Sequence, residues 1–186
     1  MMKKKINLDN LEKKLLVASP SIGSESPFFH SVLYVHKQTD IGISCIIINQ
    51  PVEVSTSDLL FNIGVEPTIQ QSQDFQNILI GGPEHRDCGL VIYRDKSTKS
   101  VIVSRCLNTF QSIILGKGPQ KSEIVLGFCS WSHDSILEEI MNNYWLISYC
   151  NDAILFNAEY HQRWKLAINN IGLTPNNIQT NSDGNC

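Results

Sequence analysis

A chain of 186 residues, 42% apolar and 18% charged, is long enough for one globular domain with a real core. A formal net charge of −3 and a pI near 5.9 exclude a broad positive face of the kind that grips nucleic acid by releasing counterions. No stretch is long enough to span a bilayer, and LLVA at 15–18 is too short for a signal-peptide core.

Residues 1–14 carry Lys3, Lys4, Lys5, Lys13 and Lys14 and read as a solvated N-terminal segment rather than a DNA arm. Leu15–Ala18 is the first expected strand, stopped by Pro20 and Gly23. Phe28–Val35 is the second, with apolar groups on both faces. Ile43–Asn49 is nearly all β-branched, which suits a central strand covered on both sides, and Pro51 ends it. A short helix is expected over Ser57–Ile63, capped by Ser55, Thr56 or Ser57, with Leu59, Leu60 and Ile63 inward and Gly64 closing it. Residues 66–77 are polar and loop-like. Ile78–Ile80 is a strand running into Gly81-Gly82-Pro83, and Gly89–Tyr93 is another, joined to it by a hairpin through 84–88.

Residues 95–100 form a turn and Val101–Val103 a strand. Leu107–Leu115 is a helix broken by Gly116, Gly118 and Pro119, and Glu123–Phe128 is a strand. Ser132–Asn143 is the strongest helix: Ile136, Leu137, Ile140 and Met141 share a stripe, and Ser135-x-x-Glu138 has the spacing of a capping box. Trp145–Ser148 is a short strand. Tyr160–Ile171 is the last helix, with Trp164, Leu166, Ala167 and Ile171 inward and Gly172 at its end. The tail 174–186 has little to bury and reads as disordered. Strict βαβ alternation is absent. The expected class is therefore α+β: a single compact domain over 15–173 with a mixed or antiparallel sheet and helices around it.

Six cysteines, at 45, 88, 106, 129, 150 and 186, form no C-x-x-C pair. Four lie in apolar or strand-like runs, so reduced thiols and a cytoplasmic address are expected.

Two strand-to-turn junctions attract attention as sites. Gly81-Gly82-Pro83 leaves backbone bare at a strand end, and Arg86 adds charge nearby. Gly81, Gly82 and Arg86 are thus a candidate anion or carboxylate site. A plain glycine turn is the preferred reading, because no helix N-terminus and no Gly-Lys-Ser/Thr follows. At the second junction, Gly127-Phe128-Cys129-Ser130-Trp131 has a thiol in the nucleophile position of an elbow. Trp131 stands where the elbow needs a second glycine, so Cys129 reads as buried and inert. His85-x-x-Cys88 offers two metal ligands without a second pair, and no metal site is assigned. Asp58, Asp87, Glu138 and Glu139 read as caps, pairs or solvated groups. Trp131, Trp145 and Trp164 read as core anchors. Helix 132–143 carries Asp134, Glu138 and Glu139 with no Lys or Arg, so it is no recognition helix. No catalytic residue and no cofactor are assigned.

The residues now assembled resemble the AlgH/YqgE family of bacterial proteins. The resemblance runs from about Leu15 to Leu173. It rests on LLVASP at 15–20, FFHSVLYV at 28–35 and GISCIIINQP at 42–51, then on LIGGP at 79–83 with GLVIY at 89–93. LGFCSW at 126–131, LEEI at 137–140, Asn143, Trp145, LF at 155–156 and RW at 163–164 complete the order. The family's Asn-Arg-Pro is Asn49-Gln50-Pro51 here, and Ser135 and Ile136 stand where it has Gly-Gln. The resemblance implies a small, closed, barrel-like sheet with helices around it and a bacterial cytosolic protein. It also implies a family without a settled biochemical activity, with a regulatory role in exopolysaccharide production suggested for it. The expected function is a non-enzymatic regulatory or interaction module whose partner is a protein or a small molecule. The alternative is an enzyme or small-anion sensor using the Gly81–Arg86 hairpin.

Overall fold

The structure, a computed structural model, describes residues 10–62, 64–68 and 75–174. Lys3–Lys5, Ile63 and the tail from 175 lie outside these. In chain order the elements are β1 (Lys14–Ala18), β2 (Val32–Thr39), β3 (Gly42–Ile47), β4 (Pro51–Ser55), α1 (Thr56–Asn62), β5 (Phe75–Ile80) and β6 (Glu84–Arg94). There follow β7 (Val101–Ser104), α2 (Leu107–Ile114), β8 (Ser122–Ser132), α3 (His133–Met141), β9 (Trp145–Tyr149), a π-helical turn Ala153–Asn157 and α4 (Tyr160–Asn170). The chain divides into two compact units, one of the residues up to Asn49 together with those from Cys129, the other Gln50–Phe128.

In the first unit the end of β8, β3, β2, β1 and β9 pair in that order, all antiparallel. Alternation aligns like side chains in cross-strand rows. Ile147, Leu16, Leu33 and Ile47 form one row; Val35, Cys45 and Cys129 form another. Both rows belong to one apolar cluster, closed by Ile136 of α3 and by Phe28, Trp131 and Trp145. Residues Leu15–Ala18 are all buried, as a strand covered on both faces must be. α4 packs on β1, β2 and β9 through Arg163, Ala167 and Ile168.

In the second unit the order is β4, β5, β8, β6, β7. The β5–β8 pair is parallel and the others antiparallel. Leu79 and Leu90 flank Val125 from its two sides. Leu59 and Leu60 of α1 and Phe110 and Ile114 of α2 cover Ile78, Val91 and Ile124.

The α+β class with a mixed sheet is as expected. Among the described residues neither ladder closes on itself, so the barrel-like contour is not what the hydrogen bonds draw. Pro51 begins β4 instead of only ending β3; with no N–H to give, proline suits the first residue of an edge strand. Residues 84–88 are part of β6 rather than a connection, with the register shift between Glu84 and Gly89 absorbing them. The second strand starts at Val32, because the backbone before it turns and His30 has φ 52°. The capping box is absent: Ser132 caps α3 by accepting from the N–H of Ser135 at 3.2 Å. Met141 and Leu166, expected inward, are exposed, and Arg163 takes an inward place on α4.

Candidate functional site

The first junction, Gly81-Gly82-Pro83, joins β5 to β6. Gly81 and Gly82 are buried, and the Gly81 N–H donates to the Leu126 carbonyl at 2.8 Å. This donor therefore serves the sheet. The carbonyls of Gly82 and Glu84 press against Gly127, where φ is +74°: a Cβ there would lie 2.7 Å from each oxygen. Only glycine meets both demands without strain. The Arg86 stem lies along the same place, its Cγ 3.4 Å from that Cβ position. His85, with φ 48°, stacks on Phe128 at 5.3 Å between ring centroids.

Arg86 reaches a cavity of about 520 Å³ in the second unit. The second charge there, absent from the sequence reading, is Arg105, which leaves β7 and enters α2. Its guanidinium lies 5.8 Å from the centre of the Phe128 ring. The rest of the lining is Val54, Leu59, Leu107, Phe110 and Leu126, with Asn62 and Gly89. Gly89 leaves room for Phe110, whose Cε2 would be 3.2 Å from a Cβ at position 89. Among the described residues, neither Arg86 nor Arg105 has a carboxylate partner. Two arginines lining a cavity with five apolar side chains match an anionic group attached to something greasy.

Cys106 stands between Arg105 and Leu107 at the start of α2 and is exposed. The Thr109 N–H, the Thr109 hydroxyl and the Asn108 N–H lower its pKa, although no capping hydrogen bond of ordinary geometry is made. The signal for both residues was a third strand-to-helix junction, Ser104–Leu107, whose flanks are less apolar than those of the other two.

The second junction builds structure in the first unit. Cys129 is buried opposite Cys45. Burial pushes the Cys45 thiol well up, and Cys129 adds to it. Glu139 accepts from Trp131 Nε1 at 3.1 Å and Trp145 Nε1 at 2.6 Å, while Phe28 packs on both indoles. Buried Arg163 donates from Nη1 to the Ile48 carbonyl at 2.6 Å and from Nε to the Ala158 carbonyl at 3.1 Å. Asn49 accepts from the Val32 N–H at 2.8 Å and donates to the His30 carbonyl at 2.9 Å. Trp164 donates to the Ala18 carbonyl at 2.7 Å and stacks on His30. The side chains of Asp87 and Cys88 lie outside the described residues. Among those described, no three His, Cys, Asp or Glu side chains gather as metal ligands.

A protein-family model described as AlgH-like matches residues 15–176. The chain belongs to this family. A UPF0301 protein of Shewanella denitrificans is 32% identical over 173 residues, covering 89% of this chain and 93% of its own. Another from Photobacterium profundum is 31% identical over 180 residues, with 91% and 96% covered. The solution structure of the AlgH protein from Pseudomonas aeruginosa superposes with a TM-score of 0.74 at 24% identity, over 98% of this chain and all of that one. The AlgH-like family is one of uncharacterised function, and likeness at this identity speaks to fold. The motif residues Asn49, Trp131, Trp145, Arg163 and Trp164 all hold the first unit together, whereas Arg86 and Arg105 line a cavity in the second. No helix among the described residues is long and apolar enough to cross a membrane.

Proposed function

We propose that this AlgH-like chain is a non-enzymatic regulatory module that senses a small anion in the Arg86–Arg105 cavity. The observation that carries the reading is that two arginines, neither with a carboxylate partner among the described residues, line one largely apolar cavity. Guanidinium groups left facing a concavity are matched by carboxylate or phosphate, which each can grip through two parallel N–H···O bonds. The ligand site shifts from the glycine turn to Arg86 and Arg105, because the Gly81 N–H is already spent on Leu126. The inaccessibility of Cys129, the thiol in the nucleophile position, favours sensing over covalent catalysis. The net charge of −3 favours a small-molecule or protein partner over DNA.

Calorimetric titration with inorganic phosphate and with benzoate tests the reading. Binding of either is expected to weaken about tenfold or more in Arg86→Gln and in Arg105→Gln, the cost of a lost charge-assisted hydrogen bond. Equal affinities in wild type and both variants, or no binding of any anion, would end it.

A further inference from the structure

The apolar part of the cavity defines the ligand more narrowly than charge does. Inorganic phosphate would engage Arg86 and Arg105 and leave five apolar side chains wet: Val54, Leu59, Leu107, Phe110 and Leu126. Two of the five are already drawn from the core, Leu59 at 5% and Phe110 at 9% exposure, so the cavity opens directly onto the apolar cluster of the second unit. Leu107, by contrast, lines the cavity and is 55% exposed. A residue of that size left in water beside a cationic pair is what an amphipathic occupant would cover. The volume of about 520 Å³ is that of a site for a small organic molecule rather than for a bare ion. Gly89 keeps the wall free of a side chain that would meet Phe110.

We infer that the cavity takes an amphipathic monocarboxylate: a carboxylate held by Arg86 and Arg105, with an aliphatic chain laid against Leu59, Leu107, Phe110 and Leu126. This rests on the anion-sensing reading above and specifies its ligand. The carboxylate is planar and offers two oxygens to a guanidinium fork, and the single charge leaves the tail end of the ligand free to be apolar. Each methylene buried on the apolar wall adds its transfer free energy, so affinity rises geometrically with chain length until the cavity is full.

The test is a titration series at fixed ionic strength, below micelle formation, with acetate, butanoate, hexanoate and octanoate, beside inorganic phosphate and neutral octanol. The expected result is roughly a threefold to fourfold gain in affinity per added methylene. Arg105→Gln should weaken every acid about tenfold or more, and Leu107→Ser, at an exposed position that folding tolerates, should flatten the gain with length. Phosphate and all acids binding equally, with no dependence on length, would overturn the amphipathic ligand and leave the anion site standing. Octanol binding as tightly as octanoate would overturn the role of the arginines. Failure of every anion to bind would remove both readings together.

Discussion

Gly127 ties the fold of the second unit to its cavity, since it lies between Leu126 of the wall and Phe128 beside Arg105. Replacing it with alanine imposes two separable costs. The first is conformational: a Cβ at φ +74° in the left-handed region costs about 1–2 kcal/mol. The second is overlap, because the Cβ would lie 2.7 Å from the carbonyl oxygens of Gly82 and Glu84, which are backbone and cannot swing aside. Relief requires β6 and β8 to separate locally, at about 1–3 kcal/mol. The sum is roughly 2–5 kcal/mol. For a chain of this length that is a fall in Tm of roughly 5–15 °C. Two other glycines isolate the terms. Gly116 has φ +68° with nothing near a Cβ, and Gly23 has open space and no left-handed φ. The expected order of destabilisation is Gly127→Ala, then Gly116→Ala, then Gly23→Ala near zero. Urea unfolding followed by far-UV circular dichroism is the assay. All three tryptophans, 131, 145 and 164, lie in the first unit, and their fluorescence would report the wrong part of the chain. A Gly127→Ala variant no less stable than Gly116→Ala would show that the two carbonyls do not constrain this position, and the reasoning would fail.

Further outcomes follow from the same geometry. Glu139→Ala strips the acceptor from two indole N–H groups and should cost about 2–4 kcal/mol, with a change in tryptophan emission; Glu139→Gln should cost less, because one amide oxygen still accepts. Arg163→Leu leaves the Ile48 and Ala158 carbonyls without these donors and should cost about 2–4 kcal/mol, and lysine, lacking the fork, should not restore it. The Cys106 thiolate is favoured by Thr109 and Asn108, so its alkylation rate should rise with pH through a midpoint below that of an ordinary thiol. Thr109→Val should move the midpoint up, while Cys45, buried and shifted the other way, stays unreactive in the folded chain. Mass-spectrometric mapping of the alkylated cysteines checks both statements. Partial desolvation between Phe29 and Trp164 lowers the pKa of His30. Its neutral form is thus the one the fold prefers. The associated stability is present above the unfolded pKa and is lost as pH falls toward the folded one, with an NMR titration midpoint below 6.5.

Most strands were legible because burial on one or both faces writes itself as β-branched runs, as in Ile43–Asn49, and the half-buried Val101–Val103 carries the same residue types. β4 was not, since Pro51 carries two meanings and the Val52-Glu53-Val54-Ser55 alternation is too short to mark a strand by itself. The π-helical turn at Ala153–Asn157 left no periodic signal at all. In the candidate site, Arg86 was legible from its place beside bare glycine backbone. Arg105 was not, because its place on the same cavity as Arg86 depends on how the end of β7 lies against β6, a register that local sequence does not announce. The same holds for Glu139: its acceptor role is set by Trp131 and Trp145, eight residues before it and six after, on two strands. The cluster of short motifs that marks the family reads out the hydrogen-bonded frame of the first unit and, apart from Gly89 and Leu126, little of the cavity.

The proposal that Arg86 and Arg105 act as one anion-binding pair is open to direct test by nuclear magnetic resonance. On titration with octanoate, the guanidinium Nε–H signals of Arg86 and Arg105 and the amide of Gly89 should move together and saturate at one ligand per chain. Shifts confined to the Gly81–Gly82 amides, or spread over surface lysines without saturation, would contradict the account.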